Sequence, residues 1–579
     1  MSQETGVWRA IICSSCTLAL MAIPPGASGL DRAAILRELR DCSVAGMDRR
    51  LGPGYAFYHG GAQEEFPHVS ILREKKDPGG RPYQIGGPWT KEAGDFSSTQ
   101  GQILYVPDRG IGVDRVTIIE WSNGCFTEAP MAPWWGGFRP EPASKTWIAA
   151  ARDHQPGTPI AMARGMGSWA NNGIIIFSSG LVSAAGTATA RGLEPTFQFP
   201  AGKIPTAASV TNKNEFALVT VVDTQSNKGQ VAVFALEVNG KKTNFVHEWQ
   251  DDHAWSLPST GLFTAMKLLG YVDLPGIDFP TGICAVGNRE GGRMNGRDGN
   301  AGLLREYDLA KQADRDVFLK GSNAGYGSTA GFAVVIGKYE NKAAFIDLQS
   351  LFARVRQMYF TTEENYQKTR DAGPGPKQWP YAFEADASWA PAVVKVVDVP
   401  QPTAVIASMS GGEKARAFVA SQDGKVGIYT VGGLATEAPA AAEQIARVGE
   451  AQVGRNPTCL AYQKYSRDTI IAVSRGDRSI EWIKYGPSDA KIIRRLRDQR
   501  LIDPVFVEVS DTHGIETSLL TAADFKGGKI LNYRYGILVF ATQGGARFGM
   551  GPSGKDEFEC GGILEIPGSP FCISATNVN

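Results

Sequence analysis

Two neighbouring stretches decide the fold: Pro402-Thr-Ala-Val-Ile-Ala-Ser408, and Ala417-Phe-Val-Ala-Ser-Gln-Asp-Gly-Lys-Val-Gly-Ile-Tyr-Thr-Val431. A short apolar strand opens on proline. A second strand, Ala417–Ala420, runs into the tight turn Gln422-Asp423-Gly424, and a third follows over Lys425–Val431. Alternation over four to eight residues between Gly, Asn and Asp turns is the pattern of antiparallel hairpins. The opening recurs as Pro205-Thr206-Ala207, Pro280-Thr281-Gly282 and Pro457-Thr458-Cys459. The hairpin recurs as Phe216–Val222 with Gln230–Leu236, and as Ile470–Ser474 with Ser479–Lys484. A further copy, Phe332–Ile336 with Lys342–Leu348, lacks the Pro-Thr opening.

The spacings read as blades. From Pro205 to Pro280 is 75 residues, and from Pro402 to Pro457 is 55. The 122 from Pro280 to Pro402 hold two units if 332–348 counts as the second. Weaker openings, Pro159-Ile160-Ala161 and Pro570-Phe571-Cys572, extend the series at both ends. Residues 159–579 divide into seven units of about 60, where a four-stranded blade needs about 40–50. The expectation is an all-β, seven-bladed β-propeller over 156–579, with six or eight blades fitting less well. A non-repeating N-terminal extension over 30–155 would pack on it. Within the extension Arg115–Trp121 reads as a strand and Leu30–Leu51 as a helix; Glu443–Val448 is the other stretch with helical periodicity.

These copies resemble the YVTN/lactonase-like group of bacterial seven-bladed β-propellers. The Pro-Thr-small openings and the piece Ala417–Tyr429 carry the resemblance, which covers roughly 200–490. It implies an architecture and leaves activity open. Other propeller families are disfavoured: no Trp-Asp dipeptide closes the units, and no adjacent Cys-Cys pair of the quinoprotein kind occurs.

Lys+Arg and Asp+Glu both number 59, so the chain carries no net charge. That disfavours a nucleic-acid binder, whose affinity comes from neutralising phosphates. Glycine, 68 of 579 residues, is well above the ordinary ~7% and has no collagen period, which calls for many tight turns. At 43% apolar residues the chain can bury a large core.

Residues 1–29 read as a signal peptide. A short n-region ends at Arg9, an apolar run follows from Ala10 to Ile23, and Ala27-Ser28-Gly29 fits a small-x-small cleavage site. The run falls short of the ~20 residues of a spanning helix. No transmembrane segment is expected in the mature chain, and the compartment is periplasmic or secreted. Outside the leader stand Cys42, Cys125, Cys284, Cys459, Cys560 and Cys572, and an exported protein permits disulfides among them. Cys42 and Cys125 are the candidate disulfide. Cys284, Cys459 and Cys572 follow blade-opening prolines by two or four residues, so all three are expected on inner strands.

Several segments could carry chemistry. In His247-Glu248-Trp249-Gln250-Asp251-Asp252-His253, strand alternation would bring His247, Asp251 and His253 to one side as metal ligands. A charged outer strand that resists edge pairing explains the same residues. The loop 288–300 offers oxygens from Asn288, Glu290, Asn295, Asp298 and Asn300, as calcium requires, while Arg289, Arg293 and Arg297 cancel its acidic charge. No cofactor is called for, and a divalent cation such as calcium is the one candidate. Asp511-Thr512-His513-Gly514-Ile515-Glu516 sets a histidine between acids, yet no Gly-x-Ser-x-Gly elbow supplies a nucleophile. Lys491–Arg500 is the only basic run and reads as a solvated outer strand.

Residues 355–391 hold seven aromatics in 37 positions, about twice the chain's 9%. Tyr359, Tyr366, Trp379, Tyr381 and Trp389 are the candidate binding residues, because loops on rigid scaffolds carry recognition and Trp and Tyr dominate hot spots. The alternative is that these rings pin the insertion to the blade. The residues favour an exported, non-enzymatic binding or scaffold protein with a protein or glycan partner. A metal-dependent lactonase-like enzyme and a structural subunit of a larger envelope complex are the rival readings.

Overall fold

The computed structural model describes residues 30–40, 69–70, 102–110, 113–121, 140–142, 159–164, 172–186, 192–237, 265–289, 295–298, 306–370, 382–408, 412, 414–463, 468–510, 517–537, 556–565, 570–572 and 574–575. Among them the strands form six sheets of four and one of five. Five sheets are plain antiparallel meanders. The first holds Pro159–Arg164, Asn172–Phe177, Leu181–Gly186 and Gly192–Gln198, and the second Lys203–Val210, Phe216–Asp223, Lys228–Glu237 and Ala265–Asp273. The third is Gly282–Gly287, Gly331–Gly337, Lys342–Asp347 and Ala392–Asp398. The fourth and fifth start at Pro402 and Pro457. The sixth starts at Pro504 and carries the short strand Val69–Ser70 in parallel on its outer edge. The seventh takes Gln102–Gly110, Val113–Trp121 and Pro140–Pro142 from early in the chain and Ser574–Ala575 from late in it. Each innermost strand lies beside the next, and Ser574–Ala575 meets Pro159–Arg164, so the ring closes. The protein is a β-propeller.

The opening proline has a mechanical reason. At Pro159, Pro402, Pro457 and Pro504 it is the first residue of an innermost, and therefore edge, strand, where its missing N–H breaks no ladder bond. Directly after it the pairing register slips in five blades, passing over Ile160, Thr206, Thr403, Thr458 and Val505. The Pro-Thr-small signature is thus a β-bulge that bends the strand at its entry to the centre. Thr206, Thr403 and Thr458 spend their hydroxyls on backbone carbonyls, the last of them reaching Val505 in the next blade at 2.7 Å.

Unbroken apolar strands follow from burial on both faces. Phe216 and Leu218 pack toward the third blade with Ala333 and Val335, while Ala217, Val219 and Val221 pack toward the first with Ile174 and Ile176. The same interleaving joins the third blade to the fourth, the fourth to the fifth and the fifth to the sixth. Each buried Val, Leu or Phe contributes roughly 1.5–3 kcal/mol, so the inter-blade seams hold the ring.

An antiparallel meander sorts its connections by face. The links between second and third strands are short: 178–180, 224–227, 338–341, 422–424, 475–478 and 525–528. They share one face with the links between blades. Links between first and second or third and fourth strands emerge on the other face, where 288–330 and 348–391 of the third blade belong. Helix α1 (Arg32–Arg40) sits on the tight-turn face, with Ile35 buried against Val222 and Phe279 and Arg32 paired with Asp278 at 2.7 Å.

The third blade's two insertions are helical: α2 (Gln312–Leu319), α3 (Gln349–Arg356) running on through a π-turn at Gln357–Thr361, and α4 (Glu363–Arg370). They pack on the second blade as well as their own. Gly270, at φ +151°, lies in the second blade's outer strand, and a Cβ there would fall 2.5 Å from a Phe383 ring carbon. Its missing side chain is the notch that admits Phe383.

Three expectations are corrected. The hairpin 331–347 supplies the second and third strands of the blade opened at Pro280, because Gly282–Gly287 pairs with Gly331–Gly337 across the first insertion. The unit opened by Pro504 was not anticipated, since Val505 stands where other blades carry Thr. Glu443–Val448 is no helix: a 3-10 turn at Ala442–Gln444 leads into the outer strand Arg447–Gln452, which the ladder with Lys425–Thr430 imposes. In addition, the segment 30–155, read as an extension, contributes three strands to the seventh blade.

Candidate functional site

On the tight-turn face the innermost strands surround a central cavity of about 230 Å³. All seven blades contribute to its wall. Thr206, Thr281, Thr403 and Thr458 ring it, and Ala207, Gly282, Ala404, Cys459, Phe506, Phe571 and Cys572 fill the spaces between. Lys338 and Tyr339 come from the third blade's turn. The lining is small, apolar and hydroxylic. Cys459 and Cys572 stand on the inner wall, as their distance from the blade-opening prolines implied. Burial pushes both the Cys284 and Cys459 thiols up to about 12, so they remain protonated.

The insertion face is built around a polar turn. Thr211-Asn212-Lys213-Asn214-Glu215 joins the first two strands of the second blade, with Asn214 left-handed at φ 57°. The Thr211 hydroxyl accepts from the Glu215 and Phe216 N–H groups at 3.0 Å and fixes the turn. A sequence of this kind ordinarily faces water; here every member is buried. The insertions of the third blade cover it and bond to it. Asn212 accepts from Gly287 N at 2.5 Å and donates to the Arg289 carbonyl. Lys213 donates to the Tyr326 carbonyl and lies 5.0 Å from the Tyr326 ring centre. Glu215 accepts from Ser328 N at 3.1 Å.

A second cavity, about 30 Å³, opens between this turn and the helices. Glu215, Ser328 and Phe352 lie deep in it, Phe318 and Phe360 form its side, and Ala324, Gly327, Val355 and Arg356 are its more exposed residues. The second Glu215 oxygen, Oε2, has no hydrogen-bond partner among the described residues. Burial raises the Glu215 pKa and lowers that of Lys213 to about 8.

The aromatic insertion turns its rings inward. Tyr359 and Trp389 are buried in the core between the second and third blades, and Tyr366 packs against it. Phe383 meets Trp389 edge-on at 5.1 Å, and Phe360 stacks on Phe318 at 4.9 Å. Trp379 and Tyr381 lie outside the described residues, as do His247, Asp251, His253, His513, Cys42 and Cys125. Of the glycine-rich loop, Asn288 is tied to Thr329 by reciprocal bonds at 3.0 Å, and Arg297 pairs with Asp314. Among the described residues no three His, Cys, Asp or Glu side chains gather as a metal would need, and no helix is long and apolar enough to cross a membrane. The basic run does form an outer strand, Ala490–Leu496, with Arg495 reaching the buried Glu481 at 3.2 Å. Sequence reasoning passed over Glu215, because nothing in the turn itself signals that a distant insertion covers it.

The sequence matches no protein-family model and no curated protein. Solved structures similar to it include the Pseudomonas aeruginosa periplasmic gluconolactonase PpgL, at 12% identity and TM-score 0.42, covering 83% of this chain and 100% of that one. A candidate 6-phosphogluconolactonase from Bacteroides fragilis is 9% identical with TM-score 0.41, covering 83% and 99%. The β-propeller domain of Myceliophteria thermophila Cps50 (Swd1) is 10% identical with TM-score 0.36, covering 75% and 97%.

Proposed function

We propose that this protein is an exported, non-enzymatic binding propeller that presents its insertion face to a protein or glycan partner. One observation carries the reading: the described turns between second and third strands are all tight, while the long insertions 288–330 and 348–391 issue on the opposite face. A rigid ring needs no such elaboration for its own stability, and recognition concentrates on loops borne by rigid scaffolds. The central cavity supports the non-enzymatic part, since beside its Thr, Ala, Gly, Cys and Phe lining it has Lys338 and Tyr339 but no carboxylate or histidine to complete an acid–base pair. Export rests on the leader-like segment 1–29. Tyr359 and Trp389, being buried, hold the platform together; contact would fall to exposed residues such as Glu364 and Lys368.

Two measurements test the proposal. A photo-crosslinking residue at Lys368 should trap a defined adduct in the envelope of the producing cell, and one at Asp423, on the tight-turn face, should not. In parallel, purified protein should hydrolyse δ-gluconolactone no faster than buffer, with or without calcium. Turnover above background would overturn the non-enzymatic reading and support a place in the YVTN/lactonase-like group with an active centre. Adducts at 423 alone would overturn the choice of face.

A further inference from the structure

We propose that the outer wall of the fifth blade, over residues 490–502, docks on a bilayer surface rich in anionic phospholipid. The proposal goes beyond the partner face and does not rest on it, since an outermost strand stands on the rim of the ring, between the two faces.

Charge is the first observation. Residues 489–502 carry five basic side chains and two acidic, in a chain with no net charge. Lys491 and Arg500 are exposed, and Arg494, Arg495 and Arg497 are partly so. Part of this charge is answered locally: Asp498 pairs with Arg500 at 2.5 Å, and Arg495 lies 3.2 Å from Glu481. The Arg494 guanidinium rests over the Trp482 ring, 5.6 Å from its centre. Lys491 stands opposite Lys484 in the ladder, and Asp468 answers Lys484 at 3.3 Å. Near an anionic surface each basic side chain is worth about fivefold in affinity.

The second observation is an apolar side chain amid that charge. The outer strands carry a β-bulge, whose extra residue is Leu269 in the second blade, Val394 in the third, Val448 in the fourth and Ile493 in the fifth. Leu269 is buried, and Val394 and Val448 pack against the inter-blade cores. Ile493 is 50% exposed. With Ile502, 37% exposed at the end of the same run, it makes up the exposed large hydrophobics of the described residues.

Charge on an edge strand guards it against pairing with another sheet. An exposed isoleucine does the reverse, so edge protection leaves Ile493 unexplained. A bilayer interface accepts both kinds: basic side chains meet the lipid phosphates, and an apolar one enters below them. A soluble polyanion would use the charge and leave Ile493 in water. The occupant the wall fits is therefore a membrane surface.

The test is co-sedimentation of the whole chain with vesicles of phosphatidylcholine alone and of equal parts phosphatidylcholine and phosphatidylglycerol. The protein should sediment with the anionic vesicles, stay in solution with the neutral ones, and come off as salt rises from ~0.05 to ~0.5 M. Ile493→Ser should weaken binding to the anionic vesicles about fivefold. Lys491→Glu, which replaces attraction by repulsion, should weaken it about tenfold or more. Both side chains are exposed, so the thermal midpoints should stay near wild type. Lys368→Glu makes the same charge change on the insertion face and should leave binding unaltered. Equal sedimentation with both vesicle types, or with neither, overturns the proposal. So does full binding by Ile493→Ser, which would give the run to a soluble polyanion. An effect of Lys368→Glu as large as that of Lys491→Glu would also refute it, because the attraction would then belong to no particular surface.

Discussion

Gly270→Ala tests how the insertions are locked to the ring. The added Cβ would lie 2.5 Å from Phe383 Cδ2 and 2.9 Å from its Cβ and Cγ, at a φ of +151°. The chain has two ways to respond. Keeping Phe383 in place costs about 1–3 kcal/mol for alanine in a rarely populated backbone region, with overpacking of about 1–3 kcal/mol in addition. Expelling Phe383 forfeits about 1.5–3 kcal/mol of burial and about 0.5–1.5 kcal/mol for the Phe383 N–H bond to the Leu269 carbonyl, a contact of 2.8 Å. The cheaper route sets the loss, at roughly 2–4 kcal/mol. Denaturant unfolding followed by circular dichroism reads the loss, and limited proteolysis reads whether cleavage moves to the segment around 371–391. Phe383→Ala alone should cost about 3–5 kcal/mol. In the double variant the clash has no partner, so Gly270→Ala should add only its backbone strain, and the two effects should be clearly sub-additive. Strict additivity, or a Gly270→Ala protein within about 0.5 kcal/mol of wild type, would refute the notch.

Asp503→Asn should cost about 3–5 kcal/mol, because Arg475, fully buried, holds that carboxylate through two bonds of 2.6 and 2.8 Å; a shift in unfolding midpoint no larger than a surface variant's would contradict this. Lys213, at about 8 when folded and 10.5 when unfolded, is protonated more in the unfolded chain between those values, so wild type should gain stability over Lys213→Met as pH rises from 8 to 10.5. The full difference is at most about 3 kcal/mol, and parallel stability curves for the two proteins would remove the assignment. Cys284 and Cys459 should resist a thiol reagent at pH 8 until denaturant is added; rapid labelling of either in the native protein would show that burial does not protect it.

The propeller was legible because its decisive feature is local. Pro402-Thr403-Ala404 and its copies encode a bulge at an edge strand, and a bulge needs only neighbouring residues to declare itself. What failed depends on contacts distant in sequence. Nothing within Phe332–Leu348 says that it continues the strand Gly282–Gly287, since the intervening 288–330 gives no hint of being looped out. Arg447–Gln452 follows a stretch with helical periodicity, and only the ladder to Lys425–Thr430 overrules it. Glu215 is an ordinary turn acid until Ser328 and Phe352 arrive from elsewhere. The aromatic enrichment of 355–391 was visible, but its direction was not: composition counts rings, and only packing shows that Tyr359 and Trp389 face inward.

The pairing of Leu104 with Ala575 and of Tyr105 with Ser574 has a kinetic side. Six blades can form from contiguous chain, each a run of hairpins with modest loop-closure cost, and can dock in the order of their synthesis. The last one cannot. Its innermost strand is separated from the other three by almost the whole chain, so Gln102–Gly110, paired on one side with Val113–Trp121, has no partner on its inner side until residue 574 is free to reach it, and contacts of such separation slow folding. Until then the ring is a horseshoe whose two end blades, those opened by Pro159–Arg164 and Pro504–Ser510, lack the neighbour that the seventh blade provides. That interval is when the chain is most open to pairing with its own copies, and the short strand Ser574–Ala575 ends it.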